Sequence, residues 1–434
     1  MHQFYKGEFF NFEVIRILGT TRTGGADVAE VLDAVGQIKE NDPVTWHKAW
    51  SMQAEKVEQL ADEALSNGHR NSARMAYLRA ANYQRASAYM MCSVIPTKSD
   101  PRVVPILRKT VELFRKAIPL ANNPIHIFEI PYEEGVKLPA YLYLPQSSCR
   151  IAGKIPLVVN PIGADGMQEE VYHMYPAEGP ELGYAVLTFE GPGQGLTLHE
   201  HNVPMRPDYE VVDKIVLDYV QKYAEQKNLE LDFDRVAIAG TSLSGYFALR
   251  AAVDPRYKAC VAVDPLFDFW DFATKQVSAT FLNTWLKGWI PDSFVDNMIW
   301  FGNKFDFQMR WNIAMSARFF GVSTPTQILR AMKLYTLRQG KGTYLDKVTC
   351  PVFVTGAGKS LWLEVDDHTS MVFNALTNQK ESDKELWVAT KPGEGGLQAK
   401  MGAIALCNQK VFQWLDKRFN IQRYDIKFLD RYGI

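Results

Sequence analysis

With 434 residues, 47% of them hydrophobic, the chain has material for a large buried core, spread over two or three domains or gathered in one elaborated domain. A formal net charge of −1 gives no electrostatic reason to expect nucleic acid or an anionic membrane as partner, so small-molecule chemistry is the expectation. Five scattered cysteines without CxxC spacing speak against a disulfide framework or a zinc site. The N-terminus lacks a basic head followed by an apolar run, and no window of about 18 apolar residues occurs, which predicts a soluble cytoplasmic protein.

From Asp27 to about Ala121 the pattern is helical. "VTWHKAWSMQAEKVEQLADEAL", "SARMAYLRAANYQRASAYMM" and "VVPILRKTVELFRKAI" place apolar residues at three- and four-residue spacing, and Pro124 ends the run. "IHIFEIPY" and "LPAYLYLP", joined by "EEGVK", then predict an antiparallel hairpin. Beyond it, short apolar runs ("IPLVVN", "YAVLTFE", "RVAIAG", "KACVAVD", "CPVFVTG", "ELWVAT") alternate with helical stretches, the pattern of a parallel sheet covered on both faces. The alternation breaks between residues 265 and 345. There, Phe281 to Phe320 holds 11 aromatics in 40 residues where the chain average of 12% gives about five, which predicts an inserted helical lid over a pocket. The expected division is an N-terminal helical cap or dimerisation segment at 1–123, a core at 124–264 and 346–434, and a lid at 265–345.

"RVAIAGTSLSGYFALRAAV" places Ser242 in a strand-to-helix turn of the kind that projects a nucleophilic serine, with Ser244 where the second small glycine is expected. Together with "VVNPIGADGMQEEVY", "FEGPGQG" and "RPDYEVVDKIVLDYV", this turn makes the chain resemble an α/β-hydrolase. More narrowly, it resembles the fungal family of the yellowish-green pigment polyketide hydrolases and the fusarin and cytochalasan pathway hydrolases. The resemblance covers most of the chain and implies an α/β fold with a mostly parallel sheet and secondary metabolism as the setting. It also implies a serine that attacks a carbonyl, an acid after the "CPVFV" strand and a histidine after the "ELWVA" strand.

The partner positions depart from that pattern. A serine hydroxyl needs a base, normally a carboxylate-oriented histidine. The histidine position falls on Gln398 in "GEGGLQAKMGA", and the acid position on Lys359 or Ser360. Gln cannot accept and return a proton near neutral pH. A relocated triad of Ser242, Asp264 and His368 is one alternative; a helix cap for Asp264 and a solvated helical position for His368 are the plainer ones. Glu190, Asp165, Glu169, His173, His199 and His201 lie in loops beyond the strand ends, where such folds carry their pockets. Of these, Glu190 and Asp165, with Ser244 and Gln398, are the expected pocket residues. Backbone N–H groups of Leu243 and of Ile162 or Gly163 would form an oxyanion hole that needs no side chain.

No phosphate loop and no second His-rich motif occur, so neither a metal nor an organic cofactor is expected. The expectation is a non-hydrolytic enzyme, performing a cyclisation, an isomerisation or a related carbon-skeleton step on an apolar polyketide-derived intermediate. Two alternatives stand beside it: a serine hydrolase cleaving an ester, lactone or β-dicarbonyl C–C bond through Ser242, and a non-catalytic small-molecule binding protein. A homodimer through the N-terminal segment is as compatible with the sequence as a cap role.

Overall fold

The computed structural model describes residues 1–92 and 100–423; the end of the expected core, 424–434, lies outside the described residues. Five helices come first: α1 (Glu8–Leu18), α2 (Val28–Val35), α3 (Pro43–Ser66), α4 (Arg70–Tyr89) and α5 (Val103–Ala117). Asp27 and Asp42 cap α2 and α3 through their side chains, and Pro43 sits at the first turn of α3, where its missing N–H costs nothing. Helix α1 precedes the start expected at Asp27. Its Phe9, Phe10, Val14 and Ile17 are buried, as a short amphipathic helix requires.

The predicted hairpin is β1 (Ile125–Pro131) and β2 (Lys137–Tyr143), antiparallel with Ile125 opposite Tyr143. After it come β3 (Ile155–Pro161), β4 (Ala185–Phe189), the helix α6 (Tyr209–Gln226), β5 (Leu231–Thr241), the helix α7 (Leu243–Ala251) and β6 (Tyr257–Val263). Helices α8 (Phe269–Gln276), α9 (Ala279–Leu286), α10 (Asp292–Gly302), α11 (Phe307–Phe320) and α12 (Pro325–Met332) fill the stretch where the strand rhythm breaks, followed by a two-residue hairpin at Arg338–Gln339 and Gly342–Thr343. The core closes with β7 (Val352–Ala357), β8 (Lys384–Ala389) and α13 (Ile404–Arg418).

The eight strands form one sheet in the order β1-β2-β4-β3-β5-β6-β7-β8. β4, β3, β5, β6, β7 and β8 run parallel, and β2 joins β4 antiparallel. β3, β4 and β7 are buried at every position, which is why they read as near-continuous apolar runs. One face packs against α6 and α7. The other packs against α3, α4 and α13 in a shared core of Trp50, Val57, Tyr83, Val186, Phe353 and Trp414. This is the α/β-hydrolase fold, with the strand ends of β3, β5 and β6 converging beneath α8 and α11.

Candidate active site

Ser242 stands between β5 and α7 with φ 59° and ψ −121°, a conformation that costs a non-glycine residue about 1–3 kcal/mol and is tolerated where function or surroundings demand it. The neighbours explain how the turn closes. A Cβ on Gly240 would fall 1.9 Å from the Ser244 carbonyl oxygen, so that position must be glycine. Ser244 replaces the second glycine without penalty: its Oγ accepts the Thr241 N–H at 2.6 Å and donates to the Thr241 carbonyl at 2.9 Å. The hydroxyl locks the turn that a bare hydrogen would merely permit.

Around this corner lies a cavity of about 210 Å³. Ser242, Leu243, Ser244, Ile162, Gly163, Asp165 and Gln398 all line it, so seven of the expected site residues come together. A Cβ on Gly163 would sit 3.7 Å from the Thr241 carbonyl and 3.9 Å from the Ser244 nitrogen, which puts the loop after β3 directly beside the serine turn. The "FEGPGQG" stretch supports that loop from behind. Gln194 Nε2 donates to the Ile162 carbonyl at 2.7 Å, and its Oε1 accepts the Gly191 N–H at 2.7 Å.

Glu190 is not a cavity residue. Its carboxylate accepts the Leu196 N–H at 2.8 Å, and a Cβ on Gly195 would fall 2.0 Å from its Oε1. It buttresses the glycine-rich loop, and burial, with Glu169 nearby, pushes its pKa up to about 8. Glu169 is itself buried and accepts the Tyr141 hydroxyl at 2.8 Å.

Asp264 and His368 also lie away from the cavity wall. Asp264, with φ 48°, caps no helix. Its Oδ1 meets Lys400 Nζ at 2.7 Å and accepts the Thr355 hydroxyl at 2.8 Å, with both side chains of the ion pair buried. Lys400 Nζ donates to the Gly356 carbonyl as well, at 2.8 Å. His368 is 1% exposed rather than solvated, in a π-turn at Val365–Thr369. Its Nδ1 accepts the Phe267 N–H at 3.3 Å, and burial lowers its pKa to about 4. Ser242, Asp264 and His368 therefore share no hydrogen bond, and the relocated triad is not assembled.

Gln398 occupies the loop after β8. Its Nε2 donates to the Asp264 carbonyl at 3.0 Å, while its buried Oε1 has no hydrogen-bond partner among the described residues. Lys359 is exposed, and the Ser360 Oγ accepts the N–H groups of Trp362 and Leu363 at 3.1 and 2.9 Å. His173 is the histidine that lines the cavity. Its Nδ1 pairs with the Thr23 hydroxyl at 3.0 Å, and burial takes its pKa down to about 3, leaving a neutral imidazole. His199 is buried and lowered to about 4 by the same cause, and His201 is exposed.

The polar side of the cavity comes from residues the sequence reading passed over. Arg16 of α1 and Tyr89 of α4 reach the wall beside Asp165. Arg16 Nη1 lies 2.6 Å from Asp165 Oδ2, its Nη2 2.7 Å from Glu170 Oε2, and Arg85 lies 3.3 Å from the same carboxylate. Burial alone would raise the Asp165 pKa, but Arg16 and the Tyr89 hydroxyl outweigh it and hold the carboxyl below its ordinary value. Glu13, buried behind this group with Arg16 at 3.5 Å, is pushed up to about 8 by desolvation. No periodicity marks such a cluster, because its members are scattered along the chain, with Arg16 lying 154 positions from Glu170.

The remaining wall is apolar. Phe269 and Phe272 of α8, Trp311, Met315 and Phe319 of α11, with Phe12 and Trp362, enclose the space. Trp311 Nε1 donates to the Tyr89 carbonyl at 2.8 Å and so ties α11 to α4. The chamber thus joins backbone amide donors, one ionised carboxylate, a neutral imidazole and an aromatic roof. It can bind a carbonyl and exclude water around it.

No family model matches the chain. Hydrolase ORFZ of Pyricularia oryzae is 51% identical over 424 residues, covering 98% of this chain and 99% of the relative. Hydrolyase ccsE of Aspergillus clavatus is 51% identical over 434 residues, with 98% and 99% covered. Hydrolyase poxO of Penicillium oxalicum is 48% identical over 426 residues, with 98% and 100% covered. Among solved structures, 2,6-dihydroxy-pseudo-oxynicotine hydrolase superposes with a TM-score of 0.68 at 20% identity over 92% of this chain and 94% of its own. AbyA5 does so with a TM-score of 0.61 at 16% identity, over 91% and 90%. At those identities the two structures speak for the fold, and the relatives for the family: the chain belongs to the α/β-hydrolase superfamily and, within it, to the fungal secondary-metabolite hydrolase family of ORFZ, ccsE and poxO.

Proposed function

We propose that this enzyme performs a non-hydrolytic carbon-skeleton step, a cyclisation or isomerisation, on an apolar polyketide-derived intermediate. The observation that carries the reading is the buried Lys400–Asp264 pair. The Asp264 carboxylate that follows β6 is neutralised by a cation, and the loop that would deliver a base to Ser242 presents the amide of Gln398 instead. A serine without a base is a poor nucleophile.

What the cavity retains acts on charge rather than on bonds to the enzyme. A substrate carbonyl placed against the N–H groups of Leu243 and Gly163 has its developing enolate oxygen stabilised. The aromatic wall holds the reacting carbons together and dry, a contribution that reaches about 7–11 kcal/mol in well-oriented systems. The name hydrolyase on two of the relatives, that of enzymes removing water, is compatible with a cyclisation in which water leaves.

The strained, preserved serine corner favours a second reading, in which Ser242 cleaves an ester, lactone or β-dicarbonyl C–C bond. One pair of measurements separates them. Under the first reading, Ser242→Ala retains most turnover of the pathway intermediate and a fluorophosphonate probe leaves the wild type unlabelled. Loss of turnover in Ser242→Ala, together with a trapped acyl adduct on wild-type Ser242, would falsify it.

A further inference from the structure

Behind the Asp165 wall lies a second, smaller cavity of about 60 Å³. Beyond the residues shared with the main cavity, its lining holds Arg85, Gly195 and His199 together with Ala88, Met91, Val103, Leu107 and Met167. The last five belong to a small apolar cluster separate from the two main cores. The two cavities share Tyr89, Ala164, Asp165, Gly166, Met315 and Phe319. The shared residues form the boundary between the chambers, and two of them, Ala164 and Gly166, are small. Asp165 stands on this boundary, with Oδ2 held by Arg16 and a third of its side-chain surface open.

We infer that the side chamber is a subsite for an unbranched apolar chain whose carbonyl end occupies the main cavity. A protein has no structural need for a second, mostly apolar void behind its binding site, because an unfilled void forfeits packing. The methionines that line it, Met91, Met167 and Met315, adapt their shape to an occupant of variable form. At Ala164 and Gly166 the boundary carries the least side-chain bulk, which favours a thin chain over a ring or a branched carbon. This rests on the reading of the main cavity as the substrate chamber and adds where the substrate's tail lies.

The test is calorimetric binding of 2-heptanone, 2-undecanone and 2-pentadecanone to the full-length protein and to its Ala88→Phe variant, which fills the side chamber from α4. In the wild type the Kd falls along the series. The ratio of variant to wild-type Kd is near one for 2-heptanone and tenfold or more for 2-pentadecanone. Val103→Ala, which enlarges the chamber, tightens the longest ketone alone and supplies the answer should Ala88→Phe not fold. A ratio that stays constant with chain length in the variant that folds overturns the subsite, whatever its size. A wild type that binds none of the ketones removes the main-cavity reading beneath it. Because no turnover is measured, the outcome stands apart from whether Ser242 acts as a nucleophile.

Discussion

Replacing Lys400 by methionine removes the charged amine and keeps an unbranched side chain one atom shorter, so it probes the buried ion pair with little change in packing. At 2.7 Å the attraction between Lys400 and Asp264 is about 6 kcal/mol for an effective dielectric constant near 20. Part of it is offset by the desolvation that Lys400 no longer suffers, and Asp264 keeps the Thr355 hydroxyl at 2.8 Å. The expected net loss is about 3–5 kcal/mol, the range for breaking one partner out of a buried pair. The pH dependence follows from the sign of the remaining influences. Burial already lifts the Asp264 pKa, and Lys400 opposes it; without Lys400 the folded-state pKa climbs further above the unfolded value. Stability of the variant is then lost as pH rises through that interval, so its deficit against wild type narrows between about pH 7 and pH 5. Urea unfolding at both pH values measures it. A loss under about 1 kcal/mol, the size of an exposed pair, or a deficit equal at the two pH values, refutes the placement of Asp264 as a buried, lysine-neutralised carboxylate.

Other substitutions probe the corner and its supports. Ser244→Gly removes both hydroxyl bonds to Thr241 and lowers stability by about 1–3 kcal/mol, read from the thermal midpoint; an unchanged midpoint would mean the hydroxyl is dispensable. Gly195→Ala drives a methyl into the Glu190 carboxylate at a residue with φ +41°, for a cost of about 1–3 kcal/mol from overpacking before backbone strain is added; wild-type stability in urea would contradict the buttress. Glu190→Gln bears on charge. With a folded pKa near 8 against an ordinary 4.5, the wild-type glutamic acid stabilises the fold below pH 4.5 and loses that contribution as pH rises through 8. Relative to wild type, the glutamine variant therefore gains stability over that interval by up to about 1.4 kcal/mol per pH unit, and parallel pH profiles would sink the assignment.

The sheet was legible because its strands are short, apolar and separated by helical periodicity. β3, β4 and β7 are buried throughout, and each run is interrupted by one polar residue only, Asn160, Thr188 and Thr355. The serine corner was legible because it is local: Gly240, Ser242 and Ser244 carry their geometry within five positions. What sequence order hides is the meeting of distant residues. Arg16 and Tyr89 carry no motif, and their place in the cavity follows only from how α1 and α4 pack over β3. Lys400 lay inside the quoted loop and went unread, because two consecutive left-handed residues, Ala399 at φ 60° and Lys400 at φ 56°, turn its side chain inward against Asp264. Glu190 was misplaced for the opposite reason. Its strand-end position is the usual seat of a pocket residue, but the Leu196 N–H and the space left by Gly195 turn it toward the loop's interior.

The core shared by α3, α4, the sheet and α13 has a consequence for how the chain comes to exist in the cell. During synthesis, α3 and α4 leave the ribosome with Trp50, Val57 and Tyr83 uncovered, and their counterpart Trp414 is made only after every strand of the sheet. Until then this apolar flank is incompletely covered and open to chaperones and to neighbouring nascent chains. Shortened transcripts ending before α13 should accordingly yield insoluble product rather than a weakened enzyme.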